Sequence, residues 1–403
     1  MVKKFIAVSI ILMTTTPLIA QTYNEEAKQT LESLKPGTTN FLLRGYYHSG
    51  FEVIDGDVSF VSGAFAPIFL WQQGDRILFE SELEVEFEDE GVQFALEYAN
   101  ISYILNDYLI IRAGNFLTPF GIFNERLHPA WINKFPNAPL GMGHDPVGPT
   151  REFGAELRGA ALLGSTKINY SLYVSNGPVL KIHDEDTTEA PTTSLAGLNF
   201  EDNNDSKAVG GRFGFLPFDN SSLELGFSGQ YNSGIGDKDT RFDNISYFSY
   251  AADLSLVKNS ISSLKGNIDL KAQWNHVDVE EFNVELPDGD LQSIDQNQDA
   301  YFAQFAYRPA LSKSDFLSKL EFVGRFSGID LTEPVEHEEE GGIGESGERE
   351  EDVEEGHAEG DQTRWSMGIN YWITWRSALK FSYQITNNDE TVPGFFIHYA
   401  LGF

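Results

Sequence analysis

Four glutamates, Glu80, Glu82, Glu84 and Glu86, recur at every second position of one segment, and Ile77, Phe79, Leu83, Val85 and Phe87 hold positions between and beside them. A β-strand turns successive side chains to opposite faces, so this spacing predicts four carboxylates in one stripe with an apolar face behind it. Such a stripe acts through its field. The polar positions of other alternating segments carry Arg112, Arg158, Lys167, Arg212, Arg308, Arg325 and Lys380. Acid on one strand and base on others would set a transverse field across any space the strands enclose, aligning dipolar solutes and sorting ions. The competing reading is that these charges pair with one another, or with the segment 117–150, and fix its position.

That segment holds the second set of candidates. It runs Leu117-Thr118-Pro119-Phe120-Gly121 through Trp131 and Phe135 to His144-Asp145-Pro146, and it is too apolar to be left in water. It is expected to fold back into the enclosed space and narrow it. Phe120, Arg126, His128, Lys134, His144 and Asp145 are then candidates for the constriction, although Glu125 and Arg126 are equally able to bond the loop to the wall.

The elements that must position these groups are strands. From residue 40 onward about sixteen alternating segments follow one another, including 57–71, 316–329, 362–374, 377–388 and 393–403. In one of them Leu379, Phe381, Tyr383 and Ile385 alternate with Lys380, Ser382, Gln384 and Thr386; at the end of the chain Phe395, Ile397, Tyr399, Leu401 and Phe403 form one parity. Tight turns such as Gly74-Asp75, Asn106-Asp107, Gly164-Ser165, Asp219-Asn220 and Arg376-Ser377 alternate with long excursions at 117–150, 177–205, 278–297 and 330–361. Strands with one apolar face, joined in this long and short alternation, predict an all-β fold: a transmembrane antiparallel β-barrel of about sixteen strands over 40–403. Its short turns would be periplasmic and its long loops outer. A barrel that wide has a lumen side chains cannot fill, so water occupies it.

Residues 1–20 read as an export signal, with Lys3 and Lys4 before an apolar run from Phe5 to Met13, and 21–39 as a short periplasmic prelude. There is no cysteine, hence neither a disulfide nor an N-terminal lipid anchor on one. With 61 Asp and Glu against 28 Lys and Arg the formal charge is −33, which excludes nucleic acid as a partner. Beyond the signal no apolar run approaches the roughly 20 residues of a membrane helix, so a closed sheet is the one way this chain can live in lipid. These readings place it in the outer membrane of a Gram-negative bacterium.

The stretch Arg112-Ala113-Gly114-Asn115-Phe116-Leu117-Thr118-Pro119-Phe120-Gly121, a strand end running into a Pro-Phe-Gly turn and a long third loop, resembles the phosphate-selective porin O and P family. The resemblance implies a homotrimer of sixteen-stranded channels passing small anions such as phosphate, with Arg112, Arg158, Arg212 and Arg325 matching an arginine track. The Glu80 to Glu86 stripe departs from that pattern. The expected function is passive diffusion of small hydrophilic solutes or ions, with no cofactor. A receptor or adhesin barrel with little conductance is the alternative from another class; a barrel hydrolase is a third, for which no Gly-x-Ser-x-Gly element is present. The acidic loop 330–361 reads as a solvated, self-repelling segment, and Asp295, Asn297 and Asp299 imitate a calcium loop without its glycine or closing glutamate.

Overall fold

The computed structural model describes residues 39–88, 91–143, 146–183, 192–197, 199–286, 291–331, 361–388 and 390–403. The expected export signal, most of the prelude, His144, Asp145 and nearly all of the acidic loop lie outside these residues.

The first third of the barrel consists of β1 (Thr39–Ile54), β2 (Asp57–Val61), β3 (Ala64–Gln73), β4 (Ile77–Glu88), β5 (Gly91–Asn106) and β6 (Leu109–Leu117). After a long connection containing the helical turn α1 (Phe123–Arg126) come β7 (Arg151–Leu163) and β8 (Thr166–Ser175). A separate hairpin, β9 (Val179–His183) and β10 (Thr192–Ala196), precedes β11 (Ala208–Leu216), β12 (Leu223–Asn232), β13 (Tyr247–Ile261), β14 (Gly266–Glu285) and β15 (Leu291–Arg308). A second helical turn, α2 (Asp315–Lys319), leads into β16 (Leu320–Leu331), β17 (Gln362–Thr374), β18 (Ser377–Asn387) and β19 (Thr391–Gly402).

Each barrel strand pairs antiparallel with its neighbours, and β1 pairs with β19 to close the sheet. β2 pairs with the far half of β1 and β3 with its near half. The two are one strand broken at Ser62–Gly63, and the barrel has 16 staves. The break sits where Gly63 has φ +57 and lies against His48, too close for a side chain.

Register follows from the two faces. Leu379, Phe381 and Tyr383 pair with Tyr399, Ile397 and Phe395 in an outward row, while Lys380 pairs with His398 on the inner row. Tyr383 is 50% exposed and Gln384 2%, so the apolar parity meets lipid and the polar parity is covered from within. Slipping by one residue would carry Lys380 into the bilayer at about 2–4 kcal/mol, which pins the register. Among the described residues no helix is long and apolar enough to cross a membrane; the strands do the crossing.

Three sequence expectations are corrected here. The excursion 278–297 is mostly strand, because β14 and β15 go on pairing past a register shift between Val279 and Phe282, with Val284 opposite Gln292. Val277, Val279, Phe282 and Val284 are buried inside, whereas the acidic residues that suggested a loop, Asp278, Glu280, Glu281 and Glu285, point outward and are exposed. The segment at 316 begins instead as α2, whose first turn is capped by the Ser314 side chain accepting from Leu317 N–H. The connection 309–319 is therefore not a tight turn. The excursion 177–205 contains the β9–β10 hairpin.

Candidate functional site: the loop-narrowed lumen

Residues 118–143 and 146–150 are held against inward-facing side chains of the barrel. The neck closes on itself, with Thr118 N–H donating to Thr150 O at 2.9 Å. Gly121 takes φ +63, a left-handed conformation open to glycine, and so turns three successive N–H groups onto the wall. Gly121 donates to Ser228 Oγ at 2.9 Å, and Ile122 and Phe123 donate to Gln273 Oε1 at 2.7 and 2.9 Å. Phe120, a sequence candidate for the constriction, is instead 3% exposed within the neck beside Gly148. A Cβ at Gly121 would stand 2.0 Å from Gln273 Nε2. Gly121→Ala is therefore expected to unseat the turn at a cost of about 1–3 kcal/mol, read as faster protease cleavage within 118–150 of an otherwise folded barrel.

The arginines of the expected track are engaged. Arg112 Nε donates to Glu156 Oε2 at 2.6 Å, Arg112 also reaches Glu125, and Arg158 donates to Glu125 at 3.0 Å. Arg212 holds Asp253 at 2.6 Å and Glu224 at 3.1 Å, and Arg126 of the loop meets the same Glu224 at 2.9 Å. Burial by itself would push the Glu125 carboxyl up, but the guanidinium groups of Arg158 and Arg112 hold it below the usual carboxylate range. Glu125 is thereby an ionised tie between α1 and the wall.

Deeper along the loop, 130–137 rests on two buried cations. Lys380 Nζ, on β18, donates to the carbonyls of Ala130 and Asn133 at 2.5 Å each. Arg325, on β16, donates to Gln304 Oε1, to Asn137 O at 3.0 Å and to Asn133 Oδ1. Lys134 pairs with Glu321 at 2.8 Å, and Glu321 also accepts from Trp372 Nε1 at 3.0 Å. Trp131 lies edge-on to Trp375 and against Gly402, so the loop reaches the short-turn end.

Apolar packing seats the loop's flanks. Phe123, Met142 and Val147 join Leu180, Ile235 and Ile245 from neighbouring connections, and together they cover Tyr247, Val277, Val279, Phe282, Val284, Ala300, Phe302 and Ile329 on the inner wall of β13–β16. Three loop side chains buried this way contribute on the order of 5 kcal/mol. That side of the lumen is filled with apolar side chains.

A cavity of about 1720 Å³ remains between this cluster and the inner faces of β1, β4, β5 and β17–β19. Among the described residues its wall carries five carboxylates, Glu52, Glu84, Glu86, Glu97 and Glu152, against three arginines and lysines, Arg151, Lys181 and Arg364, with His48, His128 and His398 also on it. Glu97 pairs with Arg151 at 2.9 Å and Glu52 with His398 at 2.7 Å. Glu84 makes no hydrogen bond or ion pair with a described residue. Arg112, Arg158, Arg212, Arg325 and Lys380 are absent from this wall, as are Glu80 and Glu82. Glu82 sits just behind it, 1% exposed, accepting from Tyr46 O–H at 2.8 Å and lying 3.8 Å from His128 of the loop.

Sequence reasoning thus found the charged groups on the inner parity but not the wall groups that accept from the loop, Gln273, Ser228, Glu224 and Glu321, or those that pair with the wall arginines, Glu156 and Asp253. Glu156 had a signal, since it stands directly opposite Arg112 in register. The others carry none beyond their parity. The segment Asp295 to Asp299 belongs to β15, where Asp299 accepts from Trp274 Nε1 at 2.8 Å.

A closed barrel with an apolar belt and a loop folded into its lumen defines an outer-membrane protein of porin architecture, located in the outer membrane of a Gram-negative bacterium. Among solved structures the chain is similar to the outer-membrane channel DcaP of Acinetobacter baumannii, at 12% identity and a TM-score of 0.54, covering 92% of this chain and 99% of that one. It is also similar to OmpT of Vibrio cholerae, an outer-membrane protein folded in vitro in a trimer form, at 10% identity and a TM-score of 0.51, over 91% and 99%. An anion-selective porin from Comamonas acidovorans aligns at 11% identity and a TM-score of 0.50, over 91% and 100%. At these identities the likeness is one of fold. No family model and no curated protein matches the sequence.

Proposed function

We propose that this protein is a non-enzymatic, water-filled channel for passive diffusion of small hydrophilic solutes across the outer membrane, and that it favours cations. One observation carries the reading: the cavity wall has more carboxylates than arginines and lysines, while the basic residues of the expected anion track are bound elsewhere. An anion-conducting, phosphate-selective channel needs positive charge exposed to the solute. Here Arg112, Arg158 and Arg212 are offset by Glu156, Glu125, Glu224 and Asp253, while the donors of Arg325, 4% exposed, are taken up by oxygens of the loop and Gln304.

The test is a planar bilayer with a KCl gradient. Stepwise conductance with a reversal potential on the potassium side is expected. A potential on the chloride side would return the arginines to the lead role, and a silent bilayer would favour the receptor or adhesin reading. A homotrimer is the proposed assembly, supported by the trimer form of one structural neighbour; the mass of the detergent-solubilised native species checks it.

A further inference from the structure

His128 lies in the loop 118–150 on the wall of the cavity. Its Nδ1 is bonded to the carbonyl oxygen of Asn124, which can only accept, so Nδ1 carries a proton. Its Nε2 is buried, has no hydrogen-bond partner, and stands 3.8 Å from Glu82 Oε1. In the neutral ring Nε2 would point a lone pair at a carboxylate. With a second proton it points a positive N–H there, and the ring bridges loop and wall.

We infer that His128 is a specificity-determining residue of the channel, a proton-controlled counter-charge that masks Glu82 and its acidic neighbours in acid and unmasks them when it loses its proton. This rests on the cation-preferring reading above. The groups facing the ring are Tyr46 on β1, Glu82 and Glu84 on β4, and Glu97 on β5, the last already shared with Arg151 of β7. Glu82 is held in place by Tyr46, so it does not swing away to relieve the contact. Burial lowers the affinity of the ring for its second proton, but the Glu82 carboxylate, the Asn124 carbonyl and Glu97 outweigh it and raise the pKa above the usual histidine value. The sign follows. Below that pKa the bridge is present and the lane carries one more positive charge; above it the charge is gone.

The potassium-to-chloride permeability ratio of the wild-type channel should therefore rise roughly two- to fivefold as pH increases through the titration of His128. His128→Gln should give the higher ratio at every pH across that range, and His128→Arg should hold the lower one. His48 and His398 also line the cavity, so His48→Gln and His398→Gln serve as controls that keep the step. A step that survives in His128→Gln or titrates in His128→Arg overturns the inference, as does a cation-preferring wild type with no step. If the Gln variant does not insert, the Arg variant alone decides. A wild type that is silent or prefers chloride instead sinks the functional reading beneath it.

Discussion

Lys380→Met should leave the barrel folded and let residues 130–137 leave their seat, adding a second, larger and noisier conductance level to single-channel records. Each bond from a charged donor is worth about 1.5–3 kcal/mol, and Lys380 makes two short ones to the loop. The desolvation of a buried ammonium takes back part of this. A net loss of about 2–4 kcal/mol still multiplies the unseated population by roughly 30- to 1000-fold. The release is local, because the apolar cluster around Phe123, Met142 and Val147 does not involve Lys380. Lys380→Arg should keep more of the seat than methionine does. Unchanged traces in Lys380→Met would mean that Arg325 and Lys134 suffice to hold the segment.

Neutralising Glu84 and Glu86 together should lower the potassium-to-chloride permeability ratio roughly three- to tenfold near physiological ionic strength. Both line the cavity, and Glu84 has no cation within ion-pair distance among the described residues. The effect should shrink towards nothing in 1 M salt, where the Debye length falls to about 3 Å. Arg112→Gln or Arg212→Gln should act differently. Arg212→Gln would strand the buried Asp253 and Arg112→Gln would leave the buried Glu156 only Arg158 at 3.7 Å, so each should lower thermal stability more than it alters the reversal potential. If the double glutamate variant keeps the wild-type ratio at low salt, the acidic wall is not the filter.

The staves were legible because lipid imposes a strict period of two on one face, and Trp365, Met367 and Ile369 or Phe381 and Tyr383 keep it without exception. Residues 278–297 were misread for a physical reason. Beyond the membrane the outer face of a strand meets water, so it becomes acidic and imitates a loop while its inner face stays apolar. The charged candidates were legible by parity. Their partners were not, since contact depends on register and loop path: Arg112 and Glu156 are 44 residues apart, and Lys380 and Ala130 are 250. That is why an expected track of exposed arginines in the primary structure becomes, once folded, a set of bolts.

The apolar cluster on β13–β16 has a consequence for how this molecule tolerates change. On the proposed function, traffic is confined to an eccentric crescent beside β1, β4, β5 and β17–β19. Swaps among Val277, Val279, Phe282 and Phe302 would then register as altered heat resistance with permeation intact, so one half of the cylinder is at liberty to drift while the other is answerable to whatever passes.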